Sequence, residues 1–232
     1  MTFLNDWVPG MPGLGPLLLS IKLGLISTAV LILFGTPLAF WLSRTRSHAK
    51  TIIEAVVALP IVLPPTVIGF YLLVLLGPNG TIGGLWVQLT GSALTFSFAG
   101  LVVASVLYSM PFVIQPLQNA FESINRGFVE AAATLGARPL DVFFTVMLPL
   151  SARGFLTAGV MGFAHTLGEF GVVLMVGGNM PGQTRVISIA IYDHVEALEY
   201  GQAHMLAAIL LAFSFTCMFA LYFINRRWRH EH

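Results

Sequence analysis

The sequence predicts an all-α, polytopic membrane protein with five transmembrane helices. Three observations carry that expectation. Hydrophobic residues make up 56% of the 232-residue chain and charged residues only 9%, with a mean hydropathy of +0.86. A soluble domain carries about 25% charged residues, so these few charges cannot cover a water-facing surface, and lipid must be part of the solvent. The charges are also clustered, and residues 55–121 contain no Asp, Glu, Lys or Arg. One charge at the bilayer centre costs roughly 2.5–3.5 kcal/mol on insertion scales, which explains the exclusion. Finally, five segments approach the ~20 apolar residues that a spanning helix needs. Period-2 alternation is absent from them, so helices rather than barrel strands satisfy the backbone in hydrocarbon.

The first helix is expected over 17–42. Residues 1–16 lack a Lys/Arg-rich start and no A-x-A-like site follows, so the segment is read as retained rather than as a cleaved signal peptide. The second helix, 51–76, contains Pro60, Pro64 and Pro65. Proline removes a backbone donor and kinks a helix, so a kinked, partly open helix is expected, with a lining role in a pathway left open. The third helix covers 94–114. The fourth, 154–176, contains Gly159 and Gly162, which with Gly24 of the first allow close helix contact. The fifth covers 204–224 and holds Cys217, the one cysteine of the chain. A lone cysteine in an apolar run reads as a small buried hydrophobe, with no disulfide framework and no metal cluster.

Positive charge sets the orientation. Arg44, Arg46 and Lys50 follow the first helix, Arg126, Arg138 and Arg153 the third, and Arg226, Arg227 and Arg229 the fifth. Residues 77–93 carry no Lys or Arg, and 177–203 carry Arg185 alone. The alternation places the N-terminus outside and the C-terminus in the cytoplasm. A net charge of +1 gives no reason to expect a nucleic-acid partner.

The informative loop is 115–153. Within it, Phe121 to Pro149 reads as two short helices joined by a turn. Gly136 is placed as the C′ residue that takes positive φ. Pro139 suits the first turn of the next helix, and Asp141 suits its positive end. Leu148-Pro149 ends that helix, and Ser151 is placed to cap the fourth membrane helix. On the first short helix, Phe128, Ala131, Ala132 and Leu135 share one face, with Arg126, Glu130 and Thr134 on another. A small-residue face beside a charged one suits docking in a partner's groove. An ordinary amphipathic helix on the membrane surface would show the same pattern.

Glu130-Ala131-Ala132, then Gly136 after three residues, then Val146-x-Leu148-Pro149 after nine more, resembles the EAA loop of ABC importer permeases. That pattern is E-A-A-x3-G-x9-I-x-L-P, and Val146 for Ile is the one departure. The resemblance implies ABC type I importer permease architecture. It implies a coupling helix, carrying Glu130, Ala131, Ala132, Gly136, Leu148 and Pro149, seated in a cleft of a cytoplasmic ATPase subunit. Residues 35–39, 59–69, 76–80, 168–171 and 181–185 are similar to the molybdate permeases, part of a wider molybdate, tungstate and sulfate group. The short five-helix form favours molybdate over sulfate. The likeness further implies one permease domain over 1–232 in a bacterial inner (plasma) membrane. It implies a homodimer, two copies of the ATPase and a periplasmic or extracellular oxyanion-binding protein, with no cofactor. The chain has no Walker A loop, no catalytic motif of a membrane enzyme and no expected catalytic residues, so energy must come from the partner. An ATP-independent secondary transporter is the rival from another class, but five helices and one midplane polar pair do not supply its usual repeats. A permease for sulfate or another oxyanion is the rival within the class.

Five residues are candidates for a pathway or gate: His165, Gly168, Glu169, Thr184 and Arg185. Glu169 is expected deep in the fourth helix with His165 four residues earlier on one face, where the two can pair. An intramembrane ionisable group suggests function, while a structural hydrogen bond between helices explains it equally well. Two ligands on one helix fall short of a metal site, and a glutamate does not attract an oxyanion, so a gate or packing role is expected. Arg185 could steer an anion from the outer face or be a solvated loop charge. Asp193, Glu196 and Glu199 make 191–200 an acidic outer stretch, read as solvated charge with binding-protein docking as the alternative.

Overall fold

A computed structural model describes residues 14–230, except the side chains of residues 225 and 227–230, and every regular element in it is helical. The expectation for residues 1–13, and the side chains of Arg227 and Arg229, lie outside the described residues. In chain order the helices are α1 Gly15–Arg44, α2 Ala49–Val62, α3 Pro65–Leu76, α4 Thr81–Thr90, α5 Phe98–Glu122, α6 Arg126–Thr134 and α7 Pro139–Val142. A π-helical stretch, Phe143–Met147, leads into α8 Leu148–Leu150. Then follow α9 Ala152–Gly168, α10 Gly171–Gly177, α11 Ile187–Glu196 and α12 Tyr200–His230.

Three of these helices, α1, α5 and α12, are long and apolar enough to cross a membrane unbroken. With each of two bent pairs, Ala49–Val62 with Pro65–Leu76 and Pro139–Leu150 with Ala152–Gly168, taken as one span, the described residues hold the expected five. The segment 51–76 is two helices turned by 114°. The cause of the break itself is local: a residue before proline is pushed out of the α region, and Leu63 and Pro64 each precede one. Both are extended, at ψ 138° and ψ 137°. The bent pair still follows α5 from end to end. Glu54 of α2 accepts from Gln118 near the end of α5, while Leu76 of α3 clusters with Leu94 and Ala99 at its beginning.

The expected fourth helix, 154–176, is likewise broken. It ends at Gly168, leaves Glu169 extended (ψ 132°) and resumes as α10. On its other side α9 meets the Pro139–Leu150 segment at 69°. The third helix starts later than expected, at Phe98, because the Ser97 hydroxyl caps it by accepting from the Gly100 amide at 3.1 Å. It also runs on to Glu122, so residues 115–122 belong to the helix rather than to the loop. Pro111 and Pro116 lie inside it.

The core forms where α1, α5 and α9 pack together. Leu31, Ala39, Leu42, Val113, Ile114, Leu117, Phe121 and Ala158 are buried in one cluster. Small residues let the backbones approach. A Cβ on Gly24 would lie 2.8 Å from the Phe163 ring, and one on Gly162 would lie 2.4 Å from Val113 Cγ2. Gly159 is less critical, with its nearest such neighbour, Ile32, at 3.7 Å. Gly162→Ala is accordingly expected to destabilise the protein by about 1–3 kcal/mol, the usual cost of overpacking a tight core. The check is the melting temperature of the detergent-solubilised protein, and an unchanged value would contradict this packing. A second seam joins the broken pairs. A Cβ on Gly69 would meet Met175 Cβ at 2.8 Å, and one on Gly171 would meet Pro65 Cβ at 2.8 Å.

The last long helix packs differently. In the apolar window of α12 only 6% of residues are buried. Leu211, Phe215, Phe219 and Phe223 are exposed, and the three phenylalanines stack at 6.2 and 6.1 Å between ring centroids. Such a surface suits lipid contact.

Candidate functional site

Two regions collect the sequence-predicted residues, the loop between α5 and α9 and the break between α9 and α10. In the loop, Asn125 caps α6 by accepting from the Gly127 amide at 2.9 Å. The helix ends as the sequence predicts, with Gly136 at φ +85°. The Ala137 amide donates to the Ala132 carbonyl at 3.1 Å, and the Gly136 amide donates to Ala133 at 3.0 Å. This is a Schellman end, and it accounts for much of the E-A-A-x3-G spacing. Ala132 supplies the carbonyl three residues before the cap, Gly136 takes the left-handed position, and Ala132 and Ala137 both pack on the core cluster. Asp141 then accepts from the Arg138 amide at 3.3 Å and opens α7.

The face expected to be uniform on α6 is divided. Val129 and Ala132 turn to the core, while Phe128 and Ala131 stay exposed and Leu135 is 89% exposed. Leu140 and Phe144 continue this uncovered apolar surface. Beneath it, Val142 and Met147 are buried, and Phe143 meets Phe40 and Phe121 at 5.4 and 6.1 Å between ring centroids. The loop is therefore a rigid element seated on the core with an apolar tip. Leu148 is half-buried and Pro149 exposed.

Two expectations here need correction. Leu148-Pro149 does not end the helix, which reaches Leu150 through the π-helical stretch. The proline ring clashes with the carbonyl of an α turn behind it, and the chain avoids this by widening: the Leu148 amide donates to Phe143, five residues back. Ser151 occupies the N-cap position of α9 without capping it. Its hydroxyl donates backward, to the Met147 and Leu148 carbonyls at 2.8 and 3.1 Å, and its amide also donates to Met147 at 3.0 Å.

Glu130 is exposed and makes no ion pair among the described residues. It lines a cavity of about 280 Å³ with Arg44, Arg46, Arg126 and Val129.

At the break, Glu169 is 4% exposed. The Ser105 hydroxyl donates to its Oε2 at 2.9 Å, and Ser188 donates to its backbone carbonyl at 2.5 Å. Its Oε1 is buried without a partner among the described residues. His165 Nδ1 is hydrogen-bonded to the Ser109 hydroxyl at 2.9 Å, Ser109 also bonds Thr166 at 3.0 Å, and Phe112 stacks on the imidazole at 3.8 Å. The expected His165–Glu169 pair is replaced by two parallel tethers, because the helix ends at Gly168 and Glu169 leaves the shared face. Both tethers land on α5, one turn apart. Gly168 itself is exposed with nothing near a Cβ position.

Thr184 and Arg185 serve a different structure, the turn before α11. Thr184 is buried and accepts from the Met180 amide at 3.1 Å. Arg185 pairs with Asp193 at 2.6 Å and donates to Asn179 at 2.7 Å. With its charge matched, Arg185 is poorly suited to attract an anion. The acidic stretch is the end of α11 and the turn after it, with Glu196 accepting from Tyr192 and Glu199, in the turn, paired with His194 at 2.8 Å. The Tyr192 hydroxyl is held above its ordinary pKa, first by the hydrogen bond to Glu196 and then by that carboxylate's charge.

Residues 31–230 match the model of a family described as the binding-protein-dependent transport system inner membrane component. The chain belongs to this family. Among similar proteins of this kind is the molybdenum transport system permease protein ModB of Azotobacter vinelandii, 59% identical over 208 residues, covering 90% of this chain and 92% of the relative. The ModB of Haemophilus influenzae is 39% identical, with 76% of this chain and 79% of the relative covered. Among solved structures, an inward-facing MetNI methionine ABC transporter aligns with a TM-score of 0.71 at 17% identity, covering 91% of this chain and 94% of its own. That likeness shows a fold shared with this transporter.

For this inner membrane transport component, sequence reasoning missed Ser105, Ser109, Phe143 and Met147. A signal for the serines existed. Ser105, Ser109 and Phe112 share one face of α5 by i, i+4, i+7 spacing, facing Glu169 at the break and His165 on α9.

Proposed function

We propose that the chain is the membrane-spanning subunit of an ATP-driven molybdate importer, working as a homodimer with two cytoplasmic ATPase subunits and an external oxyanion-binding protein. The observation that carries this reading is the loop at α6–α8, a capped, core-anchored helix pair whose apolar tip of Phe128, Leu135, Leu140 and Phe144 is left more than half exposed by the described residues. Such a tip fits a partner's cleft, and its E-A-A spacing is that of a coupling helix. The 59% identity to a molybdenum permease supports the cargo.

In this mechanism the N-terminus lies outside and the C-terminus in the cytoplasm, as the arginine placement favours. ATP binding draws the two ATPase subunits together, and with them the loops of the two copies. Each loop pushes on its core through Phe143 and Met147. The broken helices α2–α3 and α9–α10 then reorient to admit the oxyanion from outside, and hydrolysis restores the inward state. ATP hydrolysis belongs to the partner. The pathway itself binds cargo weakly, consistent with the matched charge of Arg185.

Uptake by the reconstituted complex, with molybdate, tungstate and sulfate in competition, tests the reading. Molybdate is expected to enter ATP-dependently and to be displaced by tungstate well before sulfate. A preference for sulfate would overturn the cargo, and uptake without the ATPase would overturn the class.

A further inference from the structure

We propose that the cavity between the end of α1 and α6 is a binding site for a phosphate-type oxyanion, carried on an anionic lipid headgroup or free in solution. Its walls are Arg44, Arg46, Arg126, Val129 and Glu130, around a volume of about 280 Å³. Three guanidiniums face one carboxylate, an excess of two positive charges (3 − 1). None of the three pairs with an acidic side chain among the described residues. Arg44 is half-buried and held in place by Met147 Sδ at 3.6 Å. A thioether sulfur is a weak acceptor, so this contact orients the guanidinium without neutralising it.

Arginine's planar fork binds phosphate oxygens two at a time, and three forks around one cavity suit a tetrahedral anion. Position favours the lipid source. Arg44 is the last residue of the apolar α1, and Trp41, 39% exposed, precedes it by three residues. Tryptophan favours the headgroup level, and basic pockets beside membrane helices hold anionic headgroups. Glu130 supplies an acceptor for a headgroup hydroxyl. A ligand there would bridge α1 to α6 and so brace the loop against the membrane.

The test uses the purified permease–ATPase complex, wild type and with Arg46→Gln and Arg126→Gln, singly and together. In one arm, native mass spectrometry counts phosphatidylglycerol against phosphatidylcholine retained after exchange. In the other, equilibrium dialysis measures radiolabelled inorganic phosphate bound to the delipidated complex. Retention of phosphatidylglycerol, or binding of phosphate, is expected to fall about fivefold for each arginine removed, the worth of one cation near an anionic surface. Loss in the first arm alone assigns the lipid, and loss in the second assigns the free anion. Arg126→Lys, which keeps the charge and loses the fork, is expected to fall between wild type and Arg126→Gln, and it serves if the double variant fails to fold. Unchanged values in both arms would overturn the proposal. So would variants that weaken only ATPase association, since the arginines would then meet the partner's acidic side chains. Glu130→Lys, compared with wild type on the permease purified without the ATPase, separates this proposal from the docking reading, because it adds a cation to the cavity and is expected to raise anion retention while docking fails.

Discussion

Glu130→Lys is expected to reduce both ATPase co-purification and ATP-dependent uptake by more than about tenfold, a loss of roughly 1.4 kcal/mol or more in association. The reason lies in what the residue does not touch. Glu130 is exposed and has no ion pair within the described chain, so its replacement breaks no internal bond. Membrane insertion and melting temperature should stay at wild-type values. What changes is the surface offered to the partner. Reversing a charge at a specific interface replaces attraction with like-charge repulsion, which costs several kcal/mol when desolvated. Lysine would also join Arg44, Arg46 and Arg126 in one cavity, leaving four cations and no carboxylate. Pull-down of the ATPase from detergent extracts, beside uptake in vesicles, measures the effect. Full association and transport in the variant would remove Glu130 from the coupling surface.

The second large effect is expected at the broken helix. Glu169→Ala should destabilise the protein by about 2–4 kcal/mol, combining a cavity in the core with a buried Ser105 hydroxyl left without its acceptor. For a chain of this size that corresponds to a drop in melting temperature of roughly 5–15 °C. Glu169→Gln is the control. Its amide oxygen can still accept from Ser105, so it should retain most of the stability lost by alanine. If alanine and glutamine behave alike, the Ser105 tether contributes little, and the break is held by Ser188 and by the packing of Gly171 on Pro65.

How much of this was legible in the sequence depended on how local the cause was. The α6 end at Gly136, the start at Pro139 and the Asp141 contact follow from rules within a few residues, and all three are in place. The break at Pro64-Pro65 has an equally local cause, but the 114° turn does not. Its size is set by α3 packing through Gly69 against α10, a contact between segments a hundred residues apart. The break at Glu169 carried no proline to announce it, and the apolar run to Val176 reads as one helix. The serines that receive it sit in an apolar stretch of α5, where a hydroxyl usually bonds its own helix. Nothing local tells that these two face a carboxylate and an imidazole instead. The helices within the loops have a related reason: α4 and α11, ten residues each, are too short to register as spans.

The two prolines of α5 acquire a meaning from where they fall. Pro111 and Pro116 lie between Ser105 and Ser109, which hold the broken helix, and Phe121, which sits under the α6–α8 loop. Each proline strips one rung from the helical ladder. The helix joining the loop to the break thus has two missing rungs near its middle. In the proposed cycle, a push at Phe121 would reach Ser109 as a change of angle rather than as a simple translation, so that a modest stroke would swing the far half of the bundle.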